Sequence, residues 1–460
     1  MIQTISPVDG SIYVERPLAS EHDIQLALKN AKLAQAAWKS KQIAERAEIC
    51  ERAVQYFETH SDEIAEQISW QMGRPIAYTA GEIKGFAERA RYMISIADTA
   101  LADHHPKAQP GFTRFIRRQP LGVVFTLAPW NYPLLTTVNS VIPALMSGNS
   151  VILKPSAQTP LCGEIFETAF KAAGLPDHVL QCLFLSHSST THIIESGNVD
   201  FVCFTGSVAG GQAVEKAAAG SFLGLGLELG GKDPAYVRED ADLAYTVEQL
   251  VDGAFFNSGQ SCCGIERIYV HESLYETFIK DFSEQVNNYI LGNPLETSTT
   301  LGPVVRTNAA NWVRQQINDA VKAGAKALID LSHFPLDDGQ GPYLAPQVLV
   351  NVDHSMSVMR EESFGPVVGI MKVASDTEAL ALMNDSDLGL TASIWTADEV
   401  KALDLGDKLQ TGTVFMNRCD YLDPALAWTG VKNTGRGETL SALGYDQLTR
   451  TQSFNFKTKP

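Results

Sequence analysis

Three residues of this sequence, Cys262, Glu228 and Asn131, are of types that together run nucleophilic chemistry at a carbonyl carbon. Cys262 stands in Asn257-Ser258-Gly259-Gln260-Ser261-Cys262-Cys263-Gly264, where small residues at an expected helix end would leave a thiol open to a substrate. A thiol drawn from its reference pKa of about 8.5 toward thiolate is a nucleophile. Alone, it reads more readily as a structural cysteine, because free cysteine is among the most buried residue types; the rest of the chain reverses that reading. Glu228, in Leu227-Glu228-Leu229-Gly230-Gly231-Lys232, lies in an apolar run at a strand end, where burial raises a carboxyl toward the pKa of a general base. A salt-bridge partner is the plainer alternative. Asn131, in Pro129-Trp130-Asn131-Tyr132-Pro133, occupies a strand-to-helix turn; its amide can donate to a developing oxyanion or simply cap the helix.

Cys263 adjoins the candidate nucleophile. Adjacent thiols bridge only with awkward geometry, and no His or Cys pair stands nearby at metal-ligand spacing. The expectation is a bystander with its side chain turned into the wall, and no metal. Seven cysteines, with only this pair close together, make no disulfide framework and fit a reducing compartment.

The elements that must position these residues follow from periodicity. From Asp23 to about Ala102 apolar residues recur at helical spacing (Ile24, Leu28, Ala31), broken by the Gly73-Arg74-Pro75 turn. From Leu121 short apolar runs alternate with helical stretches: Val123 to Leu127, Val151 to Leu153, Leu180 to Leu185, Phe201 to Phe204. After Gly231 a second series runs through Arg267 to Val270, Val348 to Val352, Val367 to Met371, Ala392 to Trp395 and Thr413 to Met416. Such alternation predicts parallel sheets covered by helices on both faces, in two α/β domains. Thr113 to Arg118 and Ser453 to Lys457 alternate like exposed strands, and are expected to be edges able to pair with another subunit.

Taken in order, the asparagine turn, the glutamate stretch and the cysteine stretch resemble the aldehyde dehydrogenase superfamily, from near the N-terminus to the C-terminal tail. Cys262 follows Glu228 by 34 positions, the separation that resemblance leads one to expect. It implies two doubly wound α/β domains, a dinucleotide-binding one (1–105 and 121–230) and a catalytic one (231–433), plus a small β oligomerisation element (106–120 and 445–460). It implies NAD(P)⁺-dependent, non-acylating oxidation of an aldehyde to a carboxylic acid. Cys262 would form a thiohemiacetal whose oxyanion meets the Cys262 N–H and Asn131, hydride would pass to nicotinamide, and Glu228 would activate the water that hydrolyses the thioester.

No Gly-x-Gly-x-x-Gly fingerprint follows an early strand; Gly224 to Gly230 has the wrong last spacing and reads as strand and turn. Phe204-Thr205-Gly206-Ser207 running to Gly210-Gly211 is the better candidate, a strand ending in a turn where a helix begins. By resemblance Gly206, Ser207 and Gly211 face the dinucleotide and Lys154 meets the adenosine ribose. Likewise Glu362 and Phe364 hold the nicotinamide ribose and ring, with Trp130 lining the same end. Members preferring NAD often carry an acid three residues after that lysine, where this chain has Ala157. With no carboxylate to repel a 2′-phosphate, NADP is expected to be accepted as well as NAD.

Family members acting on succinate semialdehyde carry an arginine in the helix after the asparagine turn; here Leu134 to Ser140 holds no cation. The loop Asn417 to Pro424, expected at the pocket mouth, offers Tyr421, Asp420 and Asp423 beside Arg418. The expectation is a neutral or amino-aldehyde, with Asp420 and Asp423 equally readable as residues that fix the loop. Glu438-Thr439 stand where the family commonly has Arg-Glu, so the secondary proton-relay carboxylate is missing and water activation falls to Glu228.

A formal charge of −17 without long same-sign runs disfavours nucleic acid and anionic membranes as partners. The N-terminal stretch lacks a basic start and apolar run, and nothing reaches membrane-spanning length, so a cytoplasmic protein is expected; the resemblance and the tail strand near Phe454 and Phe456 imply a homodimer or homotetramer. A coenzyme-A-acylating enzyme of the same fold is one rival, against which Glu228 stands. A catalytically silent structural relative is the other, against which the retention of Cys262, Glu228 and Asn131 stands.

Overall fold

The computed structural model describes residues 1–459. The chain opens on an antiparallel pair, Ile2–Ile5 with Ile12–Arg16, which the helical periodicity from Asp23 onward does not foretell. Four helices follow: Glu21–Trp38, Ile43–Thr59, Ser61–Met72 and Ile76–Ala100. Ser20 and Asp23 close a capping box on the first. Gly73 ends the third at φ 87°, where a Cβ would lie 2.7 Å from the Pro303 carbonyl oxygen, so backbone conformation and close approach both demand glycine.

The first sheet holds five parallel strands in the spatial order Gly224–Glu228, Phe201–Thr205, Val123–Leu127, Ser150–Lys154, Leu180–Cys182. Val123–Leu127 is first in sequence and central in space, and later strands add to one side and then the other. That reversal opens a crevice at the strands' carboxyl ends, where a doubly wound sheet binds ligands. All five residues of Val123–Leu127 are buried, because helices cover both faces: Phe57, Phe86, Val138 and Phe166 on one, Ile24, Leu28, Ile193 and Val214 on the other. The strand Leu180–Cys182 is shorter than the apolar run Leu180 to Leu185.

The second sheet runs Gln347–Val350, Val367–Val373, Ile265–His271, Asp233–Val237, Thr391–Trp395, Thr413–Met416, all parallel. Lys326–Ala327 joins its edge antiparallel. Two late features tie the parts together. Gly435–Arg436 crosses back to pair antiparallel with Gly224–Glu228. Phe112–Pro120 pairs with Thr449–Lys457 along nine residues, from Pro120 opposite Thr449 to Phe112 opposite Lys457. The two segments expected to seek another subunit thus pair with each other. The free edge of Thr449–Lys457 meets no further strand among the described residues.

Candidate active site

Helix Leu243–Phe255 runs into a tight turn, Phe256–Gly259, just before Cys262. Asn257, Ser258 and Gly259 take φ of 52°, 56° and 70°, three consecutive left-handed residues that persist only where surroundings over-determine them. Hydrogen bonds supply that constraint. Asn257 Nδ2 donates to the Gln260 carbonyl (3.2 Å) and its Oδ1 accepts from Arg74 Nε (3.1 Å). Ser258 donates to the Gly302 carbonyl at 2.8 Å, and the Gln260 amide oxygen accepts from the Val305 N–H at 2.7 Å. Asn131 Nδ2 donates to the Gln260 carbonyl at 3.1 Å, leaving its second amide hydrogen unassigned. The Cys262 N–H meets no acceptor among the described residues.

Arg74 and Glu82, a fully buried pair, brace this turn against the next element. Glu82 Oε1 accepts the N–H groups of Leu134 (2.7 Å) and Leu135 (3.2 Å), placing a carboxylate at the N-terminus of helix Pro133–Met146. Arg74 also donates to the Asn131 carbonyl and lies 4.4 Å from the Tyr132 ring centre.

Cys262 is half-buried while Cys263 is buried. The Cys263 thiol donates to Asp420 Oδ1 at 2.9 Å, and Ser261 donates to the same oxygen at 2.8 Å. The neighbouring Cys262 sulfur, burial and Asp420 push the Cys263 thiol well above its usual range. Asp420 therefore ties the 417–423 loop to the nucleophile turn, whereas Asp423 only accepts from the Ala425 N–H. Glu228 ends its strand with both oxygens engaged: Thr439 donates to Oε1 at 2.6 Å and Thr205 to Oε2 at 3.1 Å. Burial raises the Glu228 pKa against the lowering effect of Thr439, Thr205 and Arg89. Cys262 and Glu228 line one open cavity of about 1220 Å³.

The crevice of the first sheet has the donor set a dinucleotide needs. Strand Phe201–Thr205 turns at Gly206 into helix Val208–Ala218, capped by Ser207, whose Oγ accepts the Gly210 N–H. A Cβ on Gly206 or Gly210 would strike the Phe204 ring, and one on Gly211 would meet Leu229 at 2.6 Å, so the turn lies flat on the sheet with helix N–H groups open. Lys154, at the end of Ser150–Lys154, donates among the described residues only to its neighbour's carbonyl (3.3 Å), and burial pushes its ammonium pKa down. Across the crevice Glu362 Oε1 accepts the Gly231 N–H at 3.0 Å, leaving Oε2 without a donor among the described residues. Phe364, at φ 50°, meets Trp130 edge to face at 5.6 Å. Ala157 turns its carbonyl to the Thr4 hydroxyl (2.8 Å).

Sequence reasoning missed several residues that hold this arrangement. Glu266, buried and ion-paired with Lys232, accepts the N–H groups of Ser363 (2.8 Å) and Phe364 (2.9 Å), and so fixes the strand-to-strand loop carrying Glu362. Thr439 and Thr205 hold Glu228. Arg89 and Asn139 line the cavity with Cys262. Helix Pro133–Met146 lacks a cation, but helix Ile76–Ala100 packs against it and brings Arg89 to the cavity, while Asp420 and Tyr421 of the late loop line the same cavity. The signal was in the sequence, since Glu82, Phe86, Arg89 and Met93 recur at the spacing of one helical face.

A doubly wound sheet whose crevice opens toward a thiol and a buried carboxylate defines an oxidoreductase of the nucleotide-linked class. The model of the aldehyde dehydrogenase family matches residues 1–454, and this chain belongs to that family. It is 32% identical to an aldehyde dehydrogenase of Paenarthrobacter nicotinovorans, over 96% of this chain and 97% of that one. It is also 32% identical to the succinate semialdehyde dehydrogenase [NAD(P)⁺] Sad of Escherichia coli K12, over 98% and 96%. Among solved structures it resembles the NADP-dependent glyceraldehyde-3-phosphate dehydrogenase of Bacillus halodurans C-125 complexed with NADP, with a TM-score of 0.93 at 31% identity, covering 100% of this chain and 96% of that one. No helix of the described residues is long and apolar enough to cross a membrane, and no group of three or more His, Cys, Asp or Glu among them is arranged to hold a metal ion.

Proposed function

We propose that this chain oxidises an aldehyde to a carboxylic acid with NAD⁺ or NADP⁺, using Cys262 as nucleophile and Glu228 as general base. The observation that carries the reading is their shared cavity, with the half-buried thiol facing it and the carboxylate held at its wall. Cys262 Sγ attacks the aldehyde carbon, and the alkoxide of the resulting thiohemiacetal accepts from the Cys262 N–H and the free amide hydrogen of Asn131. When bound, the dinucleotide supplies the acceptor for the hydride. Glu228 then takes the proton of the water that attacks the Cys262 thioester.

Gly206, Ser207 and Gly211 would present the pyrophosphate to the helix N-terminus, and Lys154 would reach the adenosine ribose. Glu362 would accept the nicotinamide ribose hydroxyls through its free oxygen, with Phe364 and Trp130 flanking the ring. Ala157 leaves no acid to repel a 2′-phosphate, which supports acceptance of both cofactors, as do the cofactors named for the relatives above.

The dinucleotide-binding part spans 1–105 and 121–230 in this reading and the catalytic part 231–433. The 106–120 and 445–460 ribbon is the oligomerisation element. Its free edge carries Phe456, 55% exposed, which supports self-association as a homodimer or homotetramer. Seven free cysteines favour a cytoplasmic location.

The test is the initial rate of reduced-nicotinamide formation over aliphatic, aromatic, amino- and carboxy-aldehydes, with NAD⁺ and NADP⁺ side by side. Turnover that vanishes in Cys262→Ala supports the reading, and turnover that survives it overturns the nucleophile. Turnover that requires coenzyme A and yields acyl-coenzyme A in place of the acid would instead favour the acylating chemistry.

A further inference from the structure

Arg89 is 8% exposed, projects from helix Ile76–Ala100 into the cavity that holds Cys262, and has no carboxylate oxygen within 4.0 Å among the described residues. A guanidinium carries five N–H donors. The one protein acceptor it meets among the described residues is the Leu135 carbonyl, at 2.7 Å. Buried charges are ordinarily paired, and the other arginine on this wall obeys that rule: Arg74 is consumed by Glu82, Asn131 and Asn257. Arg89 is the exception.

Asn139 is a second and independent exception. It is 3% exposed, and neither its amide nitrogen nor its amide oxygen has a hydrogen-bond partner among the described residues. It lines the same cavity one helical turn beyond Leu135, hence on the same face as the carbonyl that Arg89 touches. The guanidinium donors that Leu135 does not take and the free amide of Asn139 line one cavity without an answering group among the described residues, and such a donor set is complementary to one planar anion with two acceptor oxygens.

We propose that Arg89, with Asn139, binds a carboxylate at the far end of the substrate, so that the substrate is a short aldehyde acid. The proposal rests on the oxidation assigned to Cys262 above. The short length follows from the shared enclosure, since Arg89 and Cys262 line the same cavity and both ends of the substrate must fit within it. Asp420 and Asp252 also line the cavity. The first is engaged by Ser261 and Cys263 and burial raises its pKa, while burial lifts the second to about 6. Neither pairs with Arg89.

The experiment compares kcat/KM for a short ω-carboxy-aldehyde, the uncharged aldehyde of equal length and the ω-amino-aldehyde, in the wild-type enzyme and in Arg89→Gln and Arg89→Lys. The expected preference for the carboxy-aldehyde is on the order of 100-fold, carried by KM, collapsing toward parity in Arg89→Gln and partly kept in Arg89→Lys. A preference for the uncharged or amino-aldehyde, or a ratio unchanged in Arg89→Gln, overturns it. Independently of turnover, a short saturated dicarboxylate should slow iodoacetamide alkylation of Cys262 saturably in the wild type and not in Arg89→Gln. If no aldehyde is turned over, the oxidation reading fails while the alkylation assay still decides the anion site. If Arg89→Gln does not fold, Arg89→Lys and wild-type protection decide it; absence of protection overturns the proposal.

Discussion

Thr439 Oγ1 donates to Glu228 Oε1 at 2.6 Å across 211 residues of chain. Thr439 stands where the family commonly has a carboxylate, so a hydroxyl here holds the proposed base directly. It lowers the Glu228 pKa against the raising effect of burial. Thr439→Val removes that contribution, so the Glu228 pKa rises further and the acid limb of the kcat–pH profile moves to higher pH. An unmoved limb in acid-release kinetics would show that Glu228 does not set it.

Glu228→Gln should leave thiol attack intact and block thioester hydrolysis. A general base contributes about 10²- to 10⁴-fold, so steady turnover should fall by that range while a single stoichiometric burst of reduced nicotinamide persists. Mass spectrometry of the quenched variant should find the acyl group on Cys262. Acid release at the wild-type rate would remove Glu228 from the mechanism.

Of the seven cysteines, Cys262 alone should alkylate rapidly at neutral pH. Cys263 is buried and donates to Asp420, and its thiol is held well above the usual range. Brief iodoacetamide treatment followed by peptide fragmentation should place the label on Cys262 and not on its neighbour. Equal labelling of both would contradict the geometry of the turn.

Breaking the Arg74–Glu82 pair from one side should cost about 3–5 kcal/mol, because it strands a buried charge. Arg74→Met and Glu82→Gln should each lower the unfolding midpoint, and the double variant should recover part of the loss. Arg74→Met should also slow alkylation of Cys262, since Asn257 and Asn131 lose their common donor. Midpoints within experimental error of the wild type would refute the pairing.

Burial, then the charge of Glu266, push Glu362 up to about 8. A carboxyl raised on folding binds more protons folded than unfolded, so stability falls as pH climbs from the ordinary carboxyl range through about 8. Without cofactor, Glu362→Gln should flatten that part of the stability–pH curve. An equally steep curve in the variant would mean that Glu362 is ionised throughout.

Much of the frame was legible. Val123 to Leu127 and Val367 to Met371 read as strands because parallel strands covered on both faces are continuous apolar runs. The turn at Gly73 and the small residues around Cys262 were legible because few residue types tolerate such backbone. The N-terminal pair Ile2–Ile5 and Ile12–Arg16 escaped: short strands with half-exposed residues carry little periodic signal. Gly435–Arg436 escaped too, since two residues make no pattern.

What is local could be read from the chain alone: residue types, the period that places each on a face, and turns that only certain residues accept. That sufficed for the α/β class and for naming Cys262, Glu228 and Asn131 as candidates. Tertiary structure alone decided what those residues meet, because partners distant in the chain are chosen by packing rather than by any local period. Thr439 comes to Glu228 through a strand that crosses back. Glu266 reaches the Glu362 loop across neighbouring strands, and Arg89 enters the cavity from a helix on which it sits among core residues.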